Sequence, residues 1–295
     1  MVKFSLFGLS TILFNRKKAI LGTIIITDKC NLSCSHCAVN NINALIYSYR
    51  QIRSEMESIY KRGIRILFFC GGETFLWHDS GKTLRDLVIE AKEIGFDIVN
   101  VVTNGTLPID LPEADIILLS LDGNEEHHNE IRGNTYRQIL ANIQSASFSN
   151  IILYMAINKI NKGDIKHVCD VAANEDNVKA VSFNFHTPYA GTETLALSVD
   201  ERRECCGSIA DLIDSGYPIF NLKSAFAYIV DNSFPVPCYQ CIVIENGREF
   251  ICGRCISSDG LCEKCGYFFA AEYSLAFKGN IKVIREMFKT YTRYV

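Results

Sequence analysis

Three cysteines, Cys30, Cys34 and Cys37, stand in the run Thr27-Asp28-Lys29-Cys30-Asn31-Leu32-Ser33-Cys34-Ser35-His36-Cys37, a C-x3-C-x2-C spacing. The run directly follows an apolar, β-branched stretch from Leu21 to Ile26. Three thiolates this close can hold three irons of a 4Fe–4S cube. No fourth cysteine lies nearby, so one iron would stay open, and an open iron is where a cofactor can bind and be reduced. A zinc loop is the competing reading. Structural zinc sites take four ligands, usually as paired C-x2-C units. His36 would complete the number, but its position between Cys34 and Cys37 makes that geometry poor.

A second group follows near the C-terminus. Cys238, Cys241, Cys252, Cys255, Cys262 and Cys265 fall within 28 residues and form three C-x2-C pairs. Each pair suits two ligands on one metal, because a tight turn brings both thiolates to the same side. Six thiols complete one fully ligated 4Fe–4S cluster with two left over, and are too few for two. Zinc in a four-cysteine ribbon and two partially ligated clusters are the alternatives, and spacing does not say which four cysteines would bind. Cys70, Cys169, Cys205 and Cys206 read as buried thiols, although Cys70 directly precedes Gly71-Gly72-Glu73 and is placed to face a site.

The elements that must position these residues alternate in type. Short runs rich in Ile, Val and Phe predict strands over Leu21–Thr27, Ile64–Cys70, Ile98–Thr103, Ile116–Ser120, Ile151–Asn158 and Val178–Phe185. Amphipathic stretches predict helices near 40–62, 81–95, 136–147, 163–175 and 199–215. Six such units make an α/β fold, a partial (β/α)6 TIM-like barrel. The residues able to do chemistry fall at the C-terminal ends of its strands, where barrel enzymes place their sites. The Pro-punctuated segment at 232–237 separates this barrel, 21–225, from a small cysteine-rich C-terminal domain, 226–295.

The first cysteine run, with three later landmarks in order, resembles the radical S-adenosylmethionine (radical SAM) superfamily. The landmarks are Cys70-Gly71-Gly72-Glu73, Thr103-Asn104-Gly105-Thr106, and Ser120-Leu121-Asp122-Gly123 followed by Glu130-Ile131-Arg132-Gly133. The likeness covers about residues 20 to 200. It implies an enzyme in which a 4Fe–4S cluster on Cys30, Cys34 and Cys37 receives one electron from a flavodoxin- or ferredoxin-type donor. SAM is then cleaved to methionine and a 5′-deoxyadenosyl radical, which abstracts hydrogen from a substrate carbon. By the same resemblance Gly71, Gly72 and Glu73 hold the SAM amino group. Asn104, Ser120 and Asp122 contact ribose or the methionine moiety, Arg132 pairs with the carboxylate, and His36 lies next to the adenine. Asn158 ends the fifth strand and is a further candidate contact. Gly247-x4-Cys252 and the cysteines after it resemble the SPASM and twitch auxiliary-cluster extensions, with departures in spacing and no cysteine beyond Cys265. Cys238-x2-Cys241-x10-Cys252 also looks like the three-cysteine auxiliary site of the molybdopterin-precursor cyclase.

The segment Asn184 to Glu193 leaves the sixth strand at the site end, and His186 or Tyr189 could donate a hydrogen bond or proton to a substrate. His127 and His128 read as solvated or structural residues in a helix-entry loop. Tyr217, Asn221, Lys223 and Ser224 precede the cysteine domain and are cavity candidates by position alone. Enzymes of the resembled kind act on peptides, in oxidation or crosslinking, or on small molecules in natural-product and cofactor maturation. No peptide-clasping segment is seen before residue 20, which weighs against the peptide reading. An Fe–S electron carrier would not need the Gly-Gly-Glu strand end, and a zinc-stabilised binding module would not need an open-iron triad.

Composition narrows the partners. Lys and Arg number 30 against 33 Asp and Glu, a net charge of −3, which gives no sign of nucleic-acid affinity. Thirteen cysteines without a secretory signal point to metal binding in a reducing cytoplasm rather than to disulfides. The apolar run Phe4 to Phe14 is too short to span a membrane, and its basic residues follow it rather than precede it. Residues 1–20 therefore read as an arm packed on the barrel, or as an interfacial amphipathic anchor in weak contact with a membrane surface.

Overall fold

The structure, a computed structural model, describes residues 19–37, 44–236, 239 and 241–294. The expected N-terminal arm, except residues 19 and 20, and Cys238 lie outside the described residues. Strand β1 (Leu21–Thr27) is followed by α1 (Tyr49–Lys61), β2 (Ile66–Gly71), a short hairpin β3 (His78–Asp79) and β4 (Lys82–Thr83), and α2 (Leu84–Ile94). Next come β5 (Ile98–Thr103), β6 (Ile116–Ser120), α3 (Glu125–Arg132), α4 (Tyr136–Ser145), β7 (Ile151–Ile157), α5 (Ile165–Asn174), β8 (Val178–Phe185) and α6 (Val199–Asp214). The chain ends with α7 (Phe226–Val230), β9 (Cys241–Glu245), β10 (Arg248–Ile251), α8 (Phe268–Phe277) and α9 (Ile281–Tyr294).

The main sheet has eight strands in the order β10-β9-β1-β2-β5-β6-β7-β8. All neighbours pair in parallel except β9 and β10, which form an antiparallel hairpin. The six predicted strands are present, and the sheet is the open, partial barrel that they implied. Its continuous apolar runs are explained by cover on both faces. On the convex side Ile24 and Ile26 of β1 pack with Ile52, Met56 and Ile59 of α1 in the principal core. On the concave side Leu21, Ile66 and Ile98 meet Tyr273 and Phe277 of α8, and Ile116, Ile152 and Ala180 meet Tyr294 of α9. Helix α8 is buried almost all round, as its unbroken apolar sequence Phe268-Phe269-Ala270-Ala271 requires. These helices cover the N-terminal strand ends from inside, and the motif loops lie at the opposite ends.

The open edge at β8 is not left bare. Val181 N–H donates to Pro218 O (2.8 Å), and Phe220 N–H donates back to Val181 O (2.8 Å). The Asn221 side chain then takes the place of a strand, its Oδ1 accepting from Phe183 N–H (2.6 Å) and its Nδ2 donating to Phe183 O (3.1 Å).

Three elements differ from the sequence reading. Helix α1 starts at Tyr49 rather than near residue 40, because Ser48 caps it by accepting from Gln51 N–H. Before that cap the chain runs extended beside β1, with Thr27 and Ile46 bridged and Asp28 N–H donating to Leu45 O at 2.8 Å. Residues Glu125–Arg132, expected as a loop, form a helix capped by Asn124, with acids in its first turn and Arg132 in its last. It was hidden because only His128 and Ile131 are buried, too few to write a 3.6-residue period. Finally, the sheet continues past the expected boundary at 225/226, since β9 pairs with β1. Among the described residues no helix is long and apolar enough to cross a membrane.

Candidate functional site

The first cysteine loop leaves β1 and is clamped by three backbone hydrogen bonds, two from the end of β2 and one to α3. Glycines make the first clamp possible. At Gly71, where φ is +154°, a Cβ would stand 2.2 Å from Thr27 O, and at Gly72 a Cβ would stand 2.3 Å from Lys29 O. Without side chains there, Gly72 N–H donates to Thr27 O and Glu73 N–H to Lys29 O, both at 2.8 Å. The third clamp is Ser35 N–H, which donates to Ile131 O of α3 at 2.9 Å. Cys37 N–H closes the turn onto Cys34 O (3.2 Å).

Glu73 is fully buried and joins β2 to β5. Its Oε1 accepts from Phe75 N–H (3.0 Å) and Thr103 Oγ1 (2.8 Å), and its Oε2 accepts from Asn104 N–H (2.7 Å). Burial raises its pKa against the lowering effect of these donors. Asn104 in turn lies 3.8 Å, through Nδ2, from Cys30 Sγ.

A charged network forms at the end of β6. The Asp122 carboxylate is wholly buried, with Arg132 Nε donating to Oδ2 at 2.6 Å and Ala156 N–H donating to Oδ1 at 2.8 Å. Burial alone would raise its pKa, but Arg132 and His36 more than offset that and hold it below the usual carboxylate range. Arg132 also lies 3.8 Å, through Nη1, from Cys34 Sγ, and 3.4 Å, through Nη2, from His36 Nε2. The His36 ring is pushed down to a pKa of about 4 by burial, with Asp122 opposing, so it is neutral near pH ~7. Its Nδ1 is buried with no hydrogen-bond partner. His128, also pushed to about 4 by burial, accepts from Asp122 N–H (3.1 Å) and contacts Thr135 Oγ1 (3.1 Å), which fits its structural reading. Ser120 sits buried at the end of β6, in register with Tyr154 of β7. Asn158 is buried but folded onto its own loop, accepting from Ile160 N–H and donating to Ala156 O.

The second site is built on the β8 loop. At Gly266 a Cβ would stand 1.9 Å from Phe185 O, and the bare backbone instead lets Phe185 N–H donate to Gly266 O at 2.8 Å. Gly266 N–H donates to Thr187 Oγ1 (3.0 Å), and the buried Arg202 guanidinium donates to Cys265 O and Lys264 O. The result is a narrow pocket, open to solvent, lined by Cys252, Cys255, Cys262, Cys265, Thr187, Val236, Ile256 and Leu261. Cys252 holds φ +68°, a left-handed backbone that side chains other than glycine rarely adopt, and its N–H donates to Cys241 O at 2.8 Å. Burial, then the neighbouring thiols, pushes Cys255 up to about 11; burial likewise pushes Cys265 up to about 12 and raises Cys262. Cys241 is a buried inner-face residue of β9 and does not line the cavity.

Among the described residues, no three His, Cys, Asp or Glu side chains converge closely enough to hold a single metal ion. A zinc site needs that convergence, with every sulfur about 2.3 Å from one ion. A 4Fe–4S cluster does not, because each thiolate takes its own iron. The donor chemistry and the unpartnered His36 Nδ1 fit a cluster with a ligand beside it. The remaining candidates are placed less suggestively. His186 is buried, its Nε2 engaged by Thr192 Oγ1 (2.9 Å), with its ring 6.2 Å from that of His36. Tyr189 Oη lies 3.1 Å from Tyr267 Oη.

Residues 24–172 match the family described as the radical SAM superfamily. This chain belongs to the radical SAM superfamily. The superfamily member is 28% identical over 168 residues to the sporulation killing factor maturation protein SkfB of Bacillus subtilis, a match covering 52% of this chain and 39% of that protein. It is 28% identical over 230 residues to the Fe-coproporphyrin III synthase of Methanosarcina barkeri, covering 70% of this chain and 55% of that protein. The chain thus spans well under two thirds of the length of these relatives. In fold it is similar to Streptococcus suis SuiB bound to S-adenosylmethionine, with a TM-score of 0.67, 12% identity, and coverage of 92% of this chain and 66% of that one. It is also similar to anSMEcpe with bound AdoMet and a peptide, with a TM-score of 0.59, 15% identity, and coverage of 92% and 83%.

Several residues of this radical SAM protein escaped the sequence reading. Asn31 and Thr106 join the first loop to the end of β5, and Thr103 joins β5 to Glu73, although all three already stood inside quoted motifs. Arg202 carried a clearer signal, a charge on the buried face of α6 that calls for a partner.

Proposed function

We propose that this chain reductively cleaves SAM and uses the resulting 5′-deoxyadenosyl radical to take hydrogen from a substrate carbon. Cys30, Cys34 and Cys37 would hold the 4Fe–4S cluster that, when bound, supplies the electron for that cleavage. The observation that carries the reading is the convergence of the ends of β2 and β5 and of α3 on one thiol loop, with Asn104 and Arg132 both 3.8 Å from its sulfurs. The protein's own residues do the rest. Gly71 and Gly72 seat the loop, and Glu73 orders the ends of β2 and β5 and has lone pairs left for the SAM ammonium. Arg132, fixed by Asp122, keeps outer N–H groups for a carboxylate. Neutral His36 offers an unpaired ring nitrogen beside the adenine position. Ser120 and Asn158 remain candidate contacts to ribose or the methionine moiety.

Cys252, Cys255, Cys262 and Cys265 would hold an auxiliary 4Fe–4S cluster, leaving Cys241 outside it. With all four irons ligated, that cluster has no open position for substrate, and its work is electron transfer. A flavodoxin- or ferredoxin-type donor would feed the first site in a reducing cytoplasm. The substrate is a peptide or small molecule in a maturation reaction; SkfB is named as a maturation protein, and anSMEcpe holds a peptide. His186, whose ring is 6.2 Å from that of His36, and Tyr189 are the candidate donors of a hydrogen bond or proton to that substrate.

The test is anaerobic reconstitution, iron and sulfide counting, and detection of 5′-deoxyadenosine after dithionite and SAM are added. Host extracts run alongside, by liquid chromatography and mass spectrometry, identify what is altered. Iron-replete protein that makes no 5′-deoxyadenosine would refute the reading, and stoichiometric zinc without iron would favour a binding module.

A further inference from the structure

We propose that Asn104 is a positioning residue for the first cluster itself: its side-chain N–H donates to Cys30 Sγ and raises the cluster's reduction potential. The inference rests on the reading that Cys30, Cys34 and Cys37 hold that cluster. It gives Asn104 a duty toward sulfur in place of the SAM contact that resemblance suggests.

The orientation of the amide is fixed by its neighbours. Thr106 N–H, which can only donate, lies 3.0 Å from the Asn104 atom assigned as oxygen, so that atom must be the acceptor. Thr106 Oγ1 donates to the same oxygen (2.7 Å) and accepts from Asn31 Nδ2 (2.8 Å). Asn104 Nδ2 donates one N–H to Asn31 Oδ1 (2.9 Å). Its second N–H is left facing Cys30 Sγ at 3.8 Å. The side chain is only 5% exposed, so flipping it would set oxygen against sulfur and against the Asn31 oxygen, and nitrogen against the Thr106 N–H. A backbone bond to Glu73 Oε2 holds the residue from the other side. Asn104 therefore has every polar side-chain atom committed within the protein. Arg132 repeats the arrangement at Cys34: Nε is tied to Asp122 at 2.6 Å, which sets the guanidinium plane, and Nη1 lies 3.8 Å from Cys34 Sγ.

One-electron reduction adds negative charge to an Fe–S cluster and to its sulfur ligands. An N–H dipole aimed at a ligand sulfur stabilises the reduced form more than the oxidised form, and so raises the potential. The fixed amide does this without adding a charge next to the position of SAM.

The experiment uses the full chain with Cys252 and Cys255 replaced by Ala, so that only the first site gives a paramagnetic signal. After reconstitution with iron and sulfide, the midpoint potential is read by anaerobic titration and electron paramagnetic resonance, without SAM. Asn104→Leu should keep the parent's iron content and shift the midpoint to a more negative value. Thr106→Val, which removes one of the two donors to the amide oxygen and loosens the orientation, should shift it the same way by less. An unchanged midpoint in iron-replete Asn104→Leu overturns the proposal. If Asn104→Leu loses its iron, Thr106→Val decides: a negative shift there supports the proposal, and an unchanged midpoint overturns it. Iron loss in both variants would mean that Asn104 only holds the loop. A parent that binds no iron at this loop overturns the proposed function as well, which separates the two failures.

Discussion

The two thiol groups of this protein are set in opposite surroundings. Cys30 and Cys34 face an amide and a guanidinium, with buried Asp122 and Glu73 behind them. Cys252, Cys255, Cys262 and Cys265 face Val236, Ile256 and Leu261, with Thr187 as the one other side chain. Burial raises the thiol pKa in both places; at the first the Arg132 guanidinium opposes it at Cys34, whereas at the second the buried Arg202 guanidinium is tied to the Cys265 and Lys264 carbonyls. A polar, partnered wall suits a site that must receive a charged ligand and develop new charge. An apolar wall suits a site that only passes electrons, because little around it has to reorganise. On the proposed reading the same atom, sulfur, would thus be given two tasks by its neighbours.

The largest expected effect separates the two groups outright. Replacing Cys30, Cys34 and Cys37 together by Ala should abolish conversion of SAM to 5′-deoxyadenosine, yet leave about four irons per chain, by ligand counting. The brown colour and the reduced-state paramagnetic signal should remain. A colourless variant with stoichiometric zinc would break the comparison, since zinc has no accessible second oxidation state. Gly72→Ala should come close to the same outcome without touching a thiol. The added Cβ would meet Lys29 O at 2.3 Å, a backbone atom that cannot swing aside, so the first loop must move. Iron at the first site and SAM binding should both fall, with second-site iron retained; normal SAM affinity by calorimetry would show that the loop tolerates the shift.

Next in size is a contrast inside the second group. Cys252→Ala should lose the auxiliary cluster, because Cys252 lines the cavity, and Cys241→Ala should keep it. Substrate turnover should suffer in the first variant more than uncoupled SAM cleavage. Equal iron loss in both variants would move Cys241 into the ligand set.

These contrasts also mark what the chain discloses on reading. The six core strands were legible because β-branched runs such as Thr23-Ile24-Ile25-Ile26 are buried on both faces, and local pattern alone carries that signal. The first thiol loop was legible because its residues are close in sequence. That Cys252, Cys255, Cys262 and Cys265 line one pocket was not, since spacing pairs neighbours and says nothing about which pairs share a wall. Cys241 belongs to a strand, and its place is set by pairing with Leu21, far away in the chain. Gly71 and Gly72 stood out by type, but the atoms they make room for, Thr27 O and Lys29 O, belong to another loop. Asn104 was visible as a motif residue, and only the surrounding hydrogen bonds turn its amide toward Cys30.

Carboxylates sharpen the comparison further. Asp122, near the first group, is paired, so Asp122→Asn would leave the Arg132 guanidinium, 10% exposed, without its partner. Loss of one member of a buried pair costs about 3–5 kcal/mol, readable as a fall in unfolding free energy in urea. Because its folded pKa is depressed, the stability Asp122 lends is present above its unfolded value of about 3.9 and is lost as pH falls through the lower folded value. A variant within about 1 kcal/mol of the parent would mean that the pair is solvated and the first site wetter than drawn.

The smallest effect concerns Glu272 of α8, a carboxyl with no cation beside it. It is 6% exposed, and its Oε1 accepts from Leu222 N–H at 2.8 Å and from Asn221 Nδ2 at 3.4 Å. Burial outweighs those donors and pushes its pKa up to about 7. The unfolded chain would titrate it near 4.3, so the folded state binds this proton more tightly. Its contribution to stability is therefore present in full below about pH 4.3 and is lost as pH rises through about 7, the reverse of Asp122. The whole shift corresponds to roughly 3 kcal/mol, as an order of magnitude. Glu272→Gln keeps an oxygen for Leu222 and removes the ionisation. It should match the parent near pH ~4 and exceed it by about 3 kcal/mol near pH ~8, in paired denaturation curves. Taking the difference between the two proteins cancels Asp122 and every other titrating group they share. Parallel pH profiles for the two would show that Glu272 ionises without cost, and that the packing between α8 and the Asn221 edge is open to water.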